Sequence, residues 1–474
     1  MRLGPFGVLH ILHDRGGGTD LHVRGLVAAL PGWRHVVASV AGDRIDIRSF
    51  RSTRQPAAGD GGFVAPDAPD TASFERAAGE PWRELVRSIA ETFRVSLIHV
   101  HHLAESPFSL VSALSTLGIS YGVTIHDLWF ACPTVTLTRS DGSYCGGVTD
   151  LDVCRSCLAA QPAFASIDIG DWRRRHAALF AAAAFVIAPS KWAAEVSLRY
   201  FPTLADRLRI VPHALPPVTL PGAGSTTLED AHANTPVAAN ARRRDPPRLP
   251  DDDWPVVAFI GAIGPDKGAR RIERLAALAR ERDMRVRFVV IGYLDTHHGP
   301  WQSGDARLTV HGRYARSKLP ALIAHYRPQL ACFPSDGPES FSYTLSEAWS
   351  AQLPALVPPI GALAERVGAT GAGWIIDSET WRDDARLLER IVELASSTDN
   401  PAYGAAQSAA HSAAQLTAPA AAQLSAHAAT RVVALPSAAS MADATAECYA
   451  AALRASSARS SASPVDTGDT GEHQ

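Results

Sequence analysis

Residues 338–349 read PESFSYTLSEAW, with Glu339 and Glu347 enclosing seven residues. An apolar run, Leu330–Phe333, lies before this stretch, and a helix-like pattern, Tyr343–Ala351, leads to a second apolar run, Ala355–Val357. Two short buried strands joined by a helix run parallel, because the crossover returns the chain to the same edge. The rhythm repeats outward: Val256–Gly261, Arg287–Ile291 and Leu308–Val310 upstream, with a helical pattern over Gly268–Asp283. It is present in the first half too, at Phe6–Leu12, His35–Val40, Leu97–His102, Tyr121–Ile125 and Phe185–Ala188. The expected fold class is therefore α/β, as two Rossmann-like doubly wound domains facing across a cleft.

The length of 474 residues suits two domains, and 46% hydrophobic with 20% charged residues is ordinary for a folded chain. Residues 1–213 form the expected N-terminal domain, including a Cys-rich loop at 132–157. Residues 214–253, rich in Pro, Ala and Asp, read as a linker or insertion, and 254–430 as the C-terminal domain. Residues 431–454 read as a last helix, centred on the pattern Met441–Arg454, and 455–474 as a disordered tail. A net charge of −3 offers no basic field for nucleic acid. The longest apolar run, Ala177 to Ala188, falls short of the roughly 18–20 residues that span a bilayer. The expected location is the cytoplasm, either free or peripherally at the inner face of the membrane.

Glutamates 339 and 347 at the end of a strand and in the next helix can both face a cleft, while the amides of Phe341, Ser342, Tyr343 and Thr344 open a helix N-terminus that suits an anion such as a diphosphate. A solvated helix face has the same spacing. In FIGAIGPDKGARRI (259–272), a strand ends in a glycine turn and Lys267 opens a helix. Glycines admit a ligand close to the backbone and a lysine neutralises phosphate, although a turn with an exposed lysine reads identically. It is not the GxxxxGK[ST] of an ATP-hydrolysing loop.

In the first half, Gly16, Gly17 and Gly18 follow a strand and precede a helical pattern, Thr19–Leu30, without the GxGxxG of a dinucleotide fold. His126 closes the run YGVTI at the carboxyl end of a strand, where open α/β sheets place ligands. His99 and His101 share a face near another strand end, but spacing identifies no third ligand for a metal. The Asp150/Asp152 and Asp251/Asp253 pairs read as solvated loop acids.

In order, GGGTDLHVRGLVAAL, HVHHLAESP, TIHDLWFACP, APSKW, RIVPHAL, FIGAIGPDKG, VVIG, VHGRY and ESFSYTLSEA resemble the retaining nucleotide-sugar glycosyltransferases of family 4 (glycosyl transferases group 1), which have the GT-B architecture. The resemblance covers residues 6–213 and 256–376, and the E-x7-E element followed by Ala348 is its most specific part. It implies an acceptor site mainly on the N-terminal domain, a nucleotide-sugar site mainly on the C-terminal one, and no cofactor for catalysis. The implied partners are a nucleotide-sugar donor and a glycan or lipid-linked acceptor of surface polysaccharide synthesis.

By the same resemblance, His126, Glu339 and Lys267 are catalytic: His126 near the reacting carbon, Glu339 on hydroxyls of the donor sugar, Lys267 on the diphosphate. Gly17 and Gly18 would lie near donor phosphates and acceptor, Phe341 to Thr344 would face sugar and phosphate, and Glu347 would hold the ribose. Gly312, Arg313 and Tyr314 would border the base. Two positions depart from the family: Ala262, where many members carry an arginine, and Ser342, where many carry glycine. The first leaves diphosphate neutralisation to Lys267 or to another arginine, and the second narrows the sugar pocket. A GT-B epimerase or hydrolase of nucleotide-sugars, or a non-catalytic glycan-binding protein, would keep the same fold.

Cys132, Cys145, Cys154 and Cys157 are spaced C-x12-C-x8-C-x2-C. In a reducing compartment the C-x2-C end presents two thiolates to one ion, so a structural zinc on all four thiolates is one reading and buried free thiols the other.

Overall fold

The computed structural model describes residues 6–14, 16–50, 70–75, 81–104, 106, 108–216, 247–397 and 433–461. Most of the linker (217–246), the Ala/Ser/Gln-rich stretch at 398–432 and the end of the tail (462–474) lie outside the described residues.

Strands β1 (Gly7–His13), β2 (Arg34–Ala41), β3 (Arg44–Phe50), β4 (Asp70–Glu75), β5 (Val95–Val100), β6 (Tyr121–Thr124), β7 (Phe185–Ala188) and β8 (Leu208–Ile210) form one sheet in the order β4-β3-β2-β1-β5-β6-β7-β8. It is parallel except at β3 and β4, which pair antiparallel at one edge. Strands β9 (Val256–Ile263), β10 (Arg287–Leu294), β11 (Trp301–Gln302), β12 (Leu308–Val310), β13 (Leu330–Cys332), β14 (Ala355–Val357) and β15 (Gly373–Ile375) form the second, in the order β11-β12-β10-β9-β13-β14-β15, where β11 is antiparallel.

The central strands are covered on both faces, so they read as unbroken apolar runs: all eight residues of β10 but Tyr293 are buried. Phe259, Phe288, Leu275 and Leu387 pack on one face of the second sheet, and Ile291, Leu345 and Leu363 on the other. The α/β architecture with two doubly wound sheets is as expected from the sequence.

The last helix runs Ala438–Ser461, beyond the expected Met441–Arg454, and residues 455–461, assigned to the tail, continue it. Alanine has the highest helix propensity, and extending an anchored helix needs no new nucleus. The anchor is on the first domain: Met441, Ala442, Tyr449 and Ala452 pack with Val8, Leu26, Phe185 and Val211. Among the described residues no helix is long and apolar enough to cross a membrane.

Candidate functional site

The C-terminal half of the site stands at the carboxyl ends of β9 and β13. After β9 the chain makes a 3-10 turn, Pro265–Lys267, and enters the helix Ala269–Glu281 through Gly268 at φ 87°. A Cβ at Gly268 would lie 2.2 Å from the Pro334 carbonyl oxygen, so only glycine admits the lysine turn this close to β13. Lys267 Nζ stands 3.8 Å from Glu339 Oε1, half exposed, which leaves a weak and easily exchanged ion pair. The helix Tyr343–Ser350 is capped by Ser342, whose Oγ accepts from the Leu345 amide. Ser342 sits at φ 69°, a left-handed conformation that explains why glycine suits this position.

Arg366, which sequence reasoning missed, holds this loop: its Nη1 donates to the carbonyls of Phe341 and Ser342 at 2.8 Å each, Nη2 donates to Ser346 Oγ at 2.6 Å, and the guanidinium lies 4.0 Å over the Phe341 ring. Glu347 is buried, and burial pushes its carboxyl up to about 7 against the pull of Arg316 and Lys267. Arg316 donates through Nη2 to the Pro216 carbonyl, and its buried Nη1 has no partner. A guanidinium beside Glu347 is therefore available where Ala262 offers none. Gly312, at φ 91°, donates its amide to the Gly292 carbonyl at 2.8 Å, and Arg313 stacks 4.4 Å over Tyr293, so Gly312, Arg313 and Tyr314 follow β12 on the same side of the sheet.

The N-terminal half is built largely from histidine. Gly17, at φ 78°, opens the helix Gly17–Ala29, which carries His22, and His126 follows β6. His35 Nε2 meets the Leu30 carbonyl at 3.0 Å, His35 Nδ1 meets His10 Nε2 at 2.9 Å, His10 Nδ1 meets His101 Nε2 at 3.0 Å, and His101 Nδ1 meets His126 Nε2 at 3.2 Å. A carbonyl only accepts, so His35 carries its proton on Nε2 and its Nδ1 accepts. Each following neutral ring must then donate from Nε2 to the one before it. The row ends with His126 as the Nε2–H tautomer and its Nδ1 lone pair unused. Burial keeps the rings neutral: it lowers His35 to about 4, and it lowers His10, His101 and His126 well below the usual imidazole range.

His10 is the neighbour of His99 and His101 that spacing did not identify, although both of its nitrogens are engaged in the row. It lies opposite His99 in the β1–β5 register, and the ligand atoms of His10, His99 and His101 fall within 4.8 Å of one another, as do those of His22, His101 and His126. His99 itself is hydrogen-bonded to Tyr449 and Thr124, at 2.7 Å each.

The two halves meet. Ser340 donates to the backbone carbonyl of His126, and a Cβ on Gly18 would come 3.4 Å from the Tyr343 ring. His213, in the RIVPHAL segment, stacks on Tyr343 at 5.7 Å and 12° and lies 4.1 Å from His22 between ring centroids. Glu365 takes the amides of Lys191 and Trp192 at 3.0 and 2.6 Å, a carboxylate of one domain on a helix N-terminus of the other. Buried polar atoms without a partner gather along this seam: His22 Nδ1, both ring nitrogens of His213, Tyr343 Oη and Arg316 Nη1. Buried polar groups are nearly always paired, so such a cluster marks a place built for a polar ligand.

The Cys-rich loop brings Thr136 and Thr138 against Gly337, within 4 Å of where a Cβ would stand, while its cysteines turn to a separate cavity. Cys132, Cys145, Cys154 and Cys157 are partly buried free thiols lining one cavity of about 30 Å³, although among the described residues the groups whose ligand atoms all approach within 4.8 Å are the two histidine groups. Asp150 caps the helix Leu151–Ala159 and Asp252 pairs with Arg287, structural duties for both acidic triplets.

Residues 16–217 match the family model described as Glycosyltransferase Family 4, and residues 241–408 the model described as Glycosyl transferases group 1. Among solved structures, the chain is similar to a sucrose-phosphate synthase from Thermosynechococcus elongatus, at 16% identity over 95% of this chain and 100% of that one, with a TM-score of 0.54. It is also similar to a glycosyltransferase from Rickettsia africae (12% identity, 95% and 100% covered, TM-score 0.52). The catalytic domain of starch synthase IV from Arabidopsis thaliana, bound to ADP and acarbose, is a third such neighbour (12%, 95% and 100%, TM-score 0.51). No curated protein matches the chain in sequence.

Proposed function

We propose that this GT-B glycosyltransferase moves a hexose from a nucleoside diphosphate sugar to a glycan or lipid-linked acceptor in surface polysaccharide synthesis, with retention of anomeric configuration and without a catalytic metal. The row of unpartnered buried polar atoms at the seam between the domains carries the reading, because it joins the carboxyl ends of both sheets where a donor from one side and an acceptor from the other would meet. The starch synthase neighbour bound to ADP supports a nucleoside diphosphate in such a fold.

In this reading Lys267, Arg316 Nη1 and the first amides of the helix Tyr343–Ser350 neutralise the diphosphate, Glu347 accepts from the ribose hydroxyls and Glu339 from the sugar hydroxyls. His126 presents its Nδ1 lone pair to a sugar hydroxyl near the anomeric carbon. The bond from that carbon to the diphosphate oxygen breaks while the acceptor oxygen bonds on the same face, and the acceptor proton passes to the departing diphosphate. Charge prearranged around the leaving group supplies most of the acceleration.

A thermal-shift screen of nucleoside diphosphate sugars tests this, since a ligand bound only by the folded state raises stability by RT ln(1 + [L]/Kd). One donor class should raise the melting temperature in wild type and fail to do so in Lys267→Ala. No shift with any nucleoside diphosphate sugar, at concentrations up to millimolar, contradicts the reading.

A further inference from the structure

Between Asp127 and Asp168 the chain runs with one helix, Leu151–Ala159, and otherwise in turns. Its backbone is unusual for a segment without a ligand: Val135 and Leu137 hold φ of 65° and 58°, and Gly142, Gly146 and Gly147 are all at positive φ. A β-branched residue in the left-handed region is a strain that the surroundings must enforce. Within the segment Leu137 and Leu158 are the fully buried aliphatics between Ala131 and Ile169, and Cys132 and Cys145 pack beside Leu128, Leu137 and Val196. All four cysteines of the segment converge on a single cavity of about 30 Å³, the scale of one water or one ion. Cys154 and Cys157, three apart on the helix Leu151–Ala159, share the face that turns towards Cys132 and Cys145.

We propose that this cavity is a structural zinc site in which Cys132, Cys145, Cys154 and Cys157 are the four ligands. Capture is Zn²⁺ plus four thiols giving a tetrathiolate of net charge −2 and four released protons. Zinc–sulfur bonds of 2.3 Å place the sulfurs of a tetrahedral site about 3.8 Å apart, so the ion draws the loop's thiols inward from their metal-free positions. The surroundings suit the charge. Arg173 Nη2 donates to Cys154 Sγ at 3.2 Å while its Nε and Nη1 hold the carbonyls of Ala131 and Thr149, and Arg139 and Arg199 donate to the carbonyls of Cys145 and Gly146. Two guanidiniums, of Arg139 and Arg173, thus line the cavity, and Arg173 would orient the centre from outside the ligand set. The ion orders the loop that follows His126 and takes no part in transfer, so the inference does not depend on the proposed reaction.

The test uses the full chain, purified under reducing conditions without added metal. Elemental analysis should find about one zinc per chain, and the native protein should show the four loop thiols protected from a thiol reagent until a chelator is added, with protease cleavage between residues 133 and 150 appearing at the same point. Cobalt exchanged into the protein should show the sulfur-to-metal charge-transfer bands of a tetrathiolate. Cys154→Ser should lose the metal. Because that variant can also fail for want of folding, the wild-type measurements stand alone: absence of zinc together with four freely reacting thiols overturns the site. Zinc retained by Cys154→Ser but lost from His22→Ala would place it on the histidine group and overturn the assignment equally.

Discussion

Glu347 is a carboxylate buried beneath the seam, and its environment makes a quantitative prediction. Burial raises its carboxyl from the ordinary 4.5 to about 7, with Arg316 and Lys267 offsetting only part of the effect. The folded chain therefore holds a proton there that the unfolded chain releases, so this group's contribution to stability is full below pH 4.5 and is lost as pH rises through 7. A difference of about 2.5 pKa units corresponds to about 3 kcal/mol. Glu347→Gln removes the titration: the variant should gain about 2–3 kcal/mol over wild type between pH 5 and pH 8, seen as several degrees in the melting temperature at pH 8 and little at pH 5. Thermal denaturation of both proteins without nucleotide, across that range, decides it. A nucleoside diphosphate whose ribose hydroxyls donate to Glu347 must expel the proton, so calorimetry near pH 7 in buffers of different ionisation enthalpy should show proton release by wild type and none by the variant. Parallel pH profiles for the two proteins would refute the buried, protonated Glu347.

Lys267→Ala should lower kcat/KM by about 10²–10³-fold, or 2–4 kcal/mol, as expected for one prearranged charge on the leaving group; steady-state kinetics near wild type would remove the lysine from the mechanism. Ser342→Gly relieves a left-handed serine at the loss of its cap, and should stabilise the chain by about 0.5–1 kcal/mol in urea denaturation, whereas destabilisation would show the cap dominates. His35→Phe unties the histidine row from the Leu30 carbonyl, so nitrogen NMR should find His126 no longer confined to the Nε2–H tautomer; an unchanged tautomer would contradict the relay. Glu365→Ala removes both contacts to the amides of Lys191 and Trp192 and should raise the donor KM and the radius of gyration in small-angle scattering, while unchanged values would show that other contacts hold the domains.

Physical reasons divide what was legible in the sequence from what was not. Strands β9, β10 and β12 to β14 are buried on both faces, so each is an apolar run that stands out from its neighbours. Strand β3, RIDIRSF, alternates instead, with Ile45 and Ile47 buried between polar residues in the strand next to the edge, and a search for apolar runs passes over it although its period of two was there to read. The E-x7-E element and the lysine turn lie within short segments, so their placement follows local structure. Arg316 and Arg366 reach the seam through tertiary packing, and nothing around them in sequence marks them; His213 lies in the RIVPHAL segment of the resemblance, but its stacking on Tyr343 across the seam is a tertiary contact. The histidine row depends on strand order: His10, His35, His101 and His126 become neighbours only because β1 lies between β2 and β5, and β5 beside β6. Tyr449, which bonds His99, comes from a helix at the far end of the chain.

Sugar transfer at the seam between the two domains can be followed directly in one reaction mixture. Proton NMR of the purified protein with the donor that stabilises it and a glycan acceptor follows donor, product and anomeric configuration in one sample. Nucleoside diphosphate should appear in step with a glycosylated acceptor, the new linkage should keep the donor's anomeric configuration, and Lys267→Ala and Glu339→Ala should abolish both signals while remaining folded. Donor consumed at the same rate without acceptor, or a product of inverted configuration, would contradict retaining transfer at the seam.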